Sequence, residues 1–320
     1  MRKSLISLAV LSAFAVSSAA FAAEEAAKPA EPSFSVTTNI GFVSDYYTRG
    51  VSQSWHKPAV QGGFDIAHSS GFYAGVWGSN VTPNTYPDAN VELDAYAGYN
   101  GSVAGVEGLG YTVGAIGYFY PGGSWKKYNY LNSPNQTPDG GRWDTYEANA
   151  GLSYKWLSAK ASMTLGDWFG AEQKTGWTSS TKGSTYFELN AAIPTPLAGL
   201  TLIAHVGRLN VSGKLDPSFN TPCTLNCNSN PSPPLVANRN YPSSSTSGAI
   251  NPDYTDWKIG VSKAFKIANA EGWNAGVYYV GNDNDSYWGS SGYGGSSFNG
   301  SSEAKNLNDG RVVFTLGRSF

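Results

Sequence analysis

The sequence predicts an all-β protein, a transmembrane antiparallel up-and-down β-barrel of about twelve strands with both termini periplasmic. Three observations predict it: an export leader, a two-residue alternation of apolar and polar residues, and short connections alternating with long ones.

The leader fixes the compartment. Arg2 and Lys3 form a positive region, Leu5 to Val16 a short apolar one, and Ala20-Phe21-Ala22 sets small residues where a signal peptidase reads. Cleavage is expected after Ala22, so residues 1–22 are read as a signal peptide and export to the outer membrane of a Gram-negative bacterium follows. The apolar stretch is too short to stay as an anchor, which needs roughly 20 residues. Residues 23–33 are a polar, Ala/Pro-rich periplasmic tether, and 34–320 are expected to form the barrel. No later run approaches membrane-helix length, and the mean hydropathy is −0.30, which excludes a helical membrane protein. Charged residues make up only 14% of the chain, against roughly 25% in soluble domains. A net charge of −2 leaves no footprint for nucleic acid.

The alternation defines the strands. From Phe34, one face reads Phe34, Val36, Thr38, Ile40, Phe42, and the other is polar. Strands are predicted near 34–48, 59–67, 72–79, 90–100, 109–120, 144–154, 157–168, 184–193, 200–208, 253–265, 273–280 and 309–320. Most bracket the roughly 9–11 residues a tilted strand needs to cross a bilayer. Glu92, Asp94, Glu147, Lys160, Glu188 and Lys258 all lie on the polar parity. A slip of one residue would turn each onto lipid, where a midplane Lys costs roughly 2–4 kcal/mol. Lys263 and Arg318 fall on the apolar parity, but near strand ends where long side chains reach the headgroups.

Two aromatic belts are expected: Phe34, Tyr99, Tyr111, Tyr154, Phe265, Trp273 and Phe320 at the periplasmic ends, and Tyr46, Phe119, Tyr146 and Phe169 at the outer ends. The last strand ends on Phe320 with Leu316, Phe314 and Val312 in phase, the pattern presented to the barrel-assembly machinery, although Arg318 replaces an aromatic.

Long connections near 121–143, 169–183, 209–252 and 281–308 are rich in Gly, Ser, Asn and Pro and read as extracellular loops. The run 209–252 is a candidate to fold inward as a plug. It holds the only cysteines, Cys223 and Cys227, whose spacing in an exported chain reads as a small disulfide clasp. A metal there lacks ligands, because His56, His68 and His205 lie far off in sequence. Asp283 and Asp285 fall well short of a calcium loop. No metal or cofactor is expected.

Residues 37–81 resemble the TorF family of porin-like proteins, also described as a Gcw-type proteobacterial domain of unknown function. The segments that carry the resemblance are VSDYYTRGVSQS (Val43–Ser54), KPAVQGGFD (Lys57–Asp65) and GFYAGVWGSNV (Gly71–Val81), echoed by VELDAYAGY (Val91–Tyr99) and YFYPG (Tyr118–Gly122). The resemblance implies an outer-membrane barrel with a pore and brings no catalytic residues.

A twelve-stranded barrel has room for a slim aqueous passage. The residues predicted to line it are Asp45, Arg49, Asp65, Glu92, Asp94, Glu147, Lys160, Glu188, His205, Asp256, Lys258 and Arg311. Arg49, Lys258 and Arg311 belong to one wall and Glu92, Asp94, Glu147 and Glu188 to the other, so a transverse field with a mild bias toward cations or dipolar solutes is expected. Asp45 and Asp256 share the basic wall and weaken the separation; a second reading pairs the charges across the lumen and closes it. The partners expected are outer-membrane lipid, the assembly machinery and small hydrophilic solutes. Catalysis is not expected: there is no GxSxG elbow, and His205 has no serine partner that the sequence names. Adhesion through the loops is the alternative for a plugged barrel.

Overall fold

The computed structural model describes residues 33–125, 141–175, 177–214, 251–290, 293 and 304–320. Fourteen strands follow in order: β1 (Phe34–Val43), β2 (Tyr47–Thr48), β3 (Val51–Ser52), β4 (Ala59–His68), β5 (Phe72–Asn80), β6 (Val91–Ser102), β7 (Leu109–Phe119), β8 (Thr145–Tyr154), β9 (Leu157–Thr164), β10 (Thr185–Pro194), β11 (Leu200–Asn210), β12 (Tyr254–Ile267), β13 (Ala270–Asn282) and β14 (Arg311–Ser319). Twelve of them, β1 and β4 to β14, form a closed antiparallel barrel in sequence order. The seam joins β1 to β14, with Val43 opposite Thr315 and Asn39 opposite Ser319. The Phe320 amide extends it, donating to the Thr38 carbonyl at 2.8 Å. Closure leaves no edge strand, so ladder N–H and C=O groups pair without water.

The period of two sorts every strand. Ile40, Phe42, Val76, Val113, Leu152, Phe187, Leu189, Val277 and Phe314 point outward and are exposed. Gln61, Ser79, Glu92, Asp94, Glu147, Ser162 and Asp256 point inward and are buried. An apolar outside around a polar inside inverts a soluble protein and suits hydrocarbon.

The connections segregate as well. Short turns at 69–71, 103–108, 155–156, 195–199 and 268–269 gather at one end, where β1 begins and β14 finishes. The longer connections 44–58, 81–90, 120–144, 165–184, 211–253 and 283–310 leave from and return to strand ends at the other.

Three strands fall two or more residues short of prediction at the long-loop end; one is β14, which begins at Arg311 rather than 309. β1 stops at Val43 rather than 48, and β9 at Thr164 rather than 168. Alternation continues beyond each, but the chain turns inward instead of pairing with its neighbour. Two aromatics therefore leave the expected outer belt. Tyr46 is buried, and Phe169 packs against the interior cluster. Phe119 and Tyr146 do face outward, with ring centroids 5.7 Å apart. At the short-turn end, Arg318 lies over the rings of Trp273 and Phe320, at 5.5 and 4.4 Å.

Candidate functional site

The segment after β1 forms the core of the site. The Tyr47–Thr48 and Val51–Ser52 strands pair with each other and not with the wall. Their connection, Arg49-Gly50, has both residues in the left-handed region, at φ 48° and 73°, the geometry of a tight hairpin turn. Gly50 is required twice over: a Cβ would also sit 2.5 Å from the Gly281 carbonyl and 2.6 Å from Asp256 Cβ. The tip thus docks on the β12–β13 wall, where Asn282 Nδ2 donates to the Gly50 carbonyl at 2.9 Å.

From that tip Arg49 reaches across the lumen. Nη1 and Nη2 donate to Glu147 Oε1 and Oε2 at 2.7 and 2.6 Å, on a strand five places round the ring from β1. The guanidinium also lies 4.2 Å from the Tyr186 ring. Burial opposes its charge, but the Glu147 carboxylate overrides that and holds it protonated, well above its usual range. A paired fork is the geometry in which a buried arginine is tolerated.

A second knot fixes the base of the loop. Asp45 accepts from Ser52 and Ser54 hydroxyls at 2.7 and 3.0 Å. Its other oxygen is 2.6 Å from His56 Nδ1, while His56 Nε2 is 2.8 Å from the Asn306 carbonyl. Trp55 and His56 both have positive φ, 56° and 57°, a strained pair held by these contacts. Serine, histidine and aspartate meet here, but not as a hydrolase needs them: Nε2 faces a carbonyl rather than a hydroxyl.

On β6, Tyr120 donates to Glu92 Oε1 at 2.8 Å. Glu92 Oε2 and both oxygens of Asp94 are buried without a hydrogen-bond partner among the described residues. A second polar group lies on β9 to β12. Lys160 pairs with Glu188 at 2.7 Å, and Asp256 accepts from Tyr186 at 2.9 Å and contacts His205 Nε2 at 2.8 Å. Lys258 is 5.5 Å from the Tyr278 ring and makes no ion pair among the described residues. Together with Arg49 and Tyr47, this group surrounds a cavity of about 100 Å³.

Aromatic side chains close over the loop at the long-loop end. Tyr86 stacks on Tyr120 and Trp125 on Trp143, each with centroids 4.0 Å apart. Trp168, Phe169, Tyr254, Tyr287, Trp288 and Tyr293 complete the cluster. It encloses a cavity of about 50 Å³ whose charged lining residues, among the described residues, are Arg49 and Glu92. Burial, and after it Glu92, pushes the phenols of Tyr86 and Tyr120 well above their ordinary range, so both remain neutral donors.

Nine of the twelve predicted lining residues meet in this half of the barrel: Arg49, Glu92, Asp94, Glu147, Lys160, Glu188, His205, Asp256 and Lys258. Asp45 is also there, but it stays within its own loop and does not contact them. Asp65 sits nearer the short turns, accepting from Tyr96 at 2.5 Å. Arg311 is exposed at the rim, opposite Val280. Asp45 and Arg49 come from an inward loop and not from a strand as predicted, because the chain leaves the wall at Ser44. The basic and acidic walls are accordingly not separate in the way the sequence implied, since Arg49 crosses to Glu147. No separate sequence signal marked Tyr86, Tyr120, Tyr186 and the tryptophans; the glycine after Arg49 within YYTRGVS was the available sign of a turn. Cys223 and Cys227 lie outside the described residues, as does most of 209–252. Asp283 and Asp285 accept from the Thr255 amide and Asn308 side chain.

These features define a membrane-type β-barrel whose lumen is narrowed by its own first loop. The chain belongs to the Gcw_chp family of bacterial proteins of unknown function, whose model matches residues 26–241. Among solved structures it is similar to the NanC porin, at 9% identity and a TM-score of 0.42 over 89% of this chain and 99% of that one. It is also similar to the KdgM porin, at 7% and 0.40 over 89% and 98%, and to OprD of Pseudomonas aeruginosa, at 11% and 0.34 over 89% and 66%. No curated protein matches it in sequence.

Proposed function

We propose that this protein is an outer-membrane channel for passive diffusion of small hydrophilic solutes, narrowed in its outer half by the Ser44–Pro58 loop. The observation that carries the reading is the polar, charged interior of a closed twelve-stranded wall with an apolar exterior. A barrel serving only as an anchor has no need of so many inward charges, each costly to bury. The short-turn end, with both chain ends, is then periplasmic and the long loops extracellular. The resemblance of residues 37–81 to the TorF family of porin-like proteins supports the same reading.

The selectivity proposed is a mild preference for cations or dipolar solutes. With Arg49 paired to Glu147, the acidic side chains without a cationic partner among the described residues include Glu92 and Asp94 on β6. Lys258 stands on β12, six places away in a ring of twelve, so a charge on either acid would set a transverse field at that level. In planar bilayers under a salt gradient, refolded protein should give conductance steps with a reversal potential on the cation-selective side. Zero reversal potential removes the bias.

A closed barrel acting through its outer loops is the second reading, favoured by the aromatic cluster that covers the lumen. Absence of any conductance step from folded protein decides for it.

A further inference from the structure

We infer that the aromatic cavity beneath the long loops is a binding site for a small ammonium-type cation. The inference deepens the channel reading by naming a solute class, and it rests on that reading for its place in transport; binding itself needs no conduction.

The cavity is bounded by the faces and edges of Tyr86, Tyr120, Trp168, Phe169 and Trp288, with Glu92 in its lining. Ring faces carry negative electrostatic potential and attract cations, most strongly where water is excluded. The two charged lining residues do not cancel each other. The Arg49 guanidinium is occupied by both oxygens of Glu147, at 2.7 and 2.6 Å, and contributes little net charge. Glu92 is 1% exposed. One of its oxygens takes the Tyr120 hydroxyl at 2.8 Å, and the other, with the Tyr46 hydroxyl nearby, has no hydrogen-bond partner among the described residues. Asp94, two residues along the same face, has neither oxygen partnered among them. A buried acid with an open acceptor beside aromatic rings is complementary to a cation that donates hydrogen bonds, and such a cation would hold it ionised. Size restricts the class. A void of about 50 Å³ is far below the roughly 150 Å³ that holds a benzene ring, so it suits a primary ammonium head and not a bulky quaternary one.

The test uses refolded full-length protein and tryptophan fluorescence, since Trp168 and Trp288 line the cavity. Methylammonium chloride is titrated against sodium chloride at equal ionic strength, with methanol as the neutral analogue and tetramethylammonium as the oversized cation. The expected result is a saturable change with methylammonium, about tenfold weaker with methanol, and weaker again with tetramethylammonium. Glu92→Gln keeps the shape and should weaken methylammonium about tenfold. Equal responses to methanol and methylammonium overturn the inference, and so does unchanged binding in folded Glu92→Gln, which would mean the carboxyl already carries a proton. If that variant does not fold, the wild-type comparison decides alone. A conducting barrel that ignores methylammonium sinks this inference and leaves the channel standing; a binding barrel that never conducts does the reverse.

Discussion

Arg49 carries a full charge to a place little water reaches, and two hydrogen bonds to Glu147 make that tolerable. Its neighbour Gly50 makes the reach possible, because only a residue without Cβ can lie against Gly281 and Asp256 at that backbone angle. Gly50→Ala should therefore cost more than the about 1–2 kcal/mol of left-handed backbone strain. Gly105→Ala is the internal reference, since Gly105 has φ +82° with nothing within 4 Å. Urea unfolding from lipid vesicles should show the larger loss at Gly50; equal losses would mean the loop tip is not docked. None of this was legible residue by residue. The sequence placed Arg49 and Glu147 in one lumen, but a pairing across 98 residues depends on a loop path that alternation does not encode.

At the level of elements the sequence was far more informative. Each barrel strand has a predicted counterpart, and β4, β5, β7, β8 and β10 agree with theirs to within a residue at each end. Bilayer thickness and the pleat impose the same pattern on all of them. The prediction overran by four or five residues where β1 and β9 give way to inward chain, whose sequence keeps the alternation of the strand before it, and by two at the start of β14. The phase of the strands has a direct test in β10. Leu189 faces lipid, while Ser158, beside Asn190 on the adjoining strand, faces the lumen. Leu189→Arg should destabilise by about 2–4 kcal/mol and Ser158→Arg by less than about 1 kcal/mol. Equal costs in vesicle unfolding would place the register on the wrong face.

The whole molecule combines two designs. The wall is a continuous lipid-facing ring, and the long-loop half of its interior is packed with aromatic and ionic groups. The aromatic residues, 14% of the chain, serve both the outward-facing belts and the cover over the lumen. Which aromatics belong to belt and which to cover is set by tertiary path, so Tyr46 and Phe169 were assigned to the membrane surface and lie inside. The same holds for charge. Parity separated lumen from lipid, whereas the cross-lumen pairing that narrows the passage required the fold.

The central claim is that a hydrated passage exists and that the first loop, tied across it by Arg49, sets its width. Single-channel recording of wild type and Arg49→Ala in planar bilayers tests it most directly. Discrete steps are expected from both, with larger conductance in the variant once the tie to Glu147 is gone. Identical step sizes would contradict the role of the loop, and a silent bilayer with heat-modifiable, folded protein would contradict the passage itself.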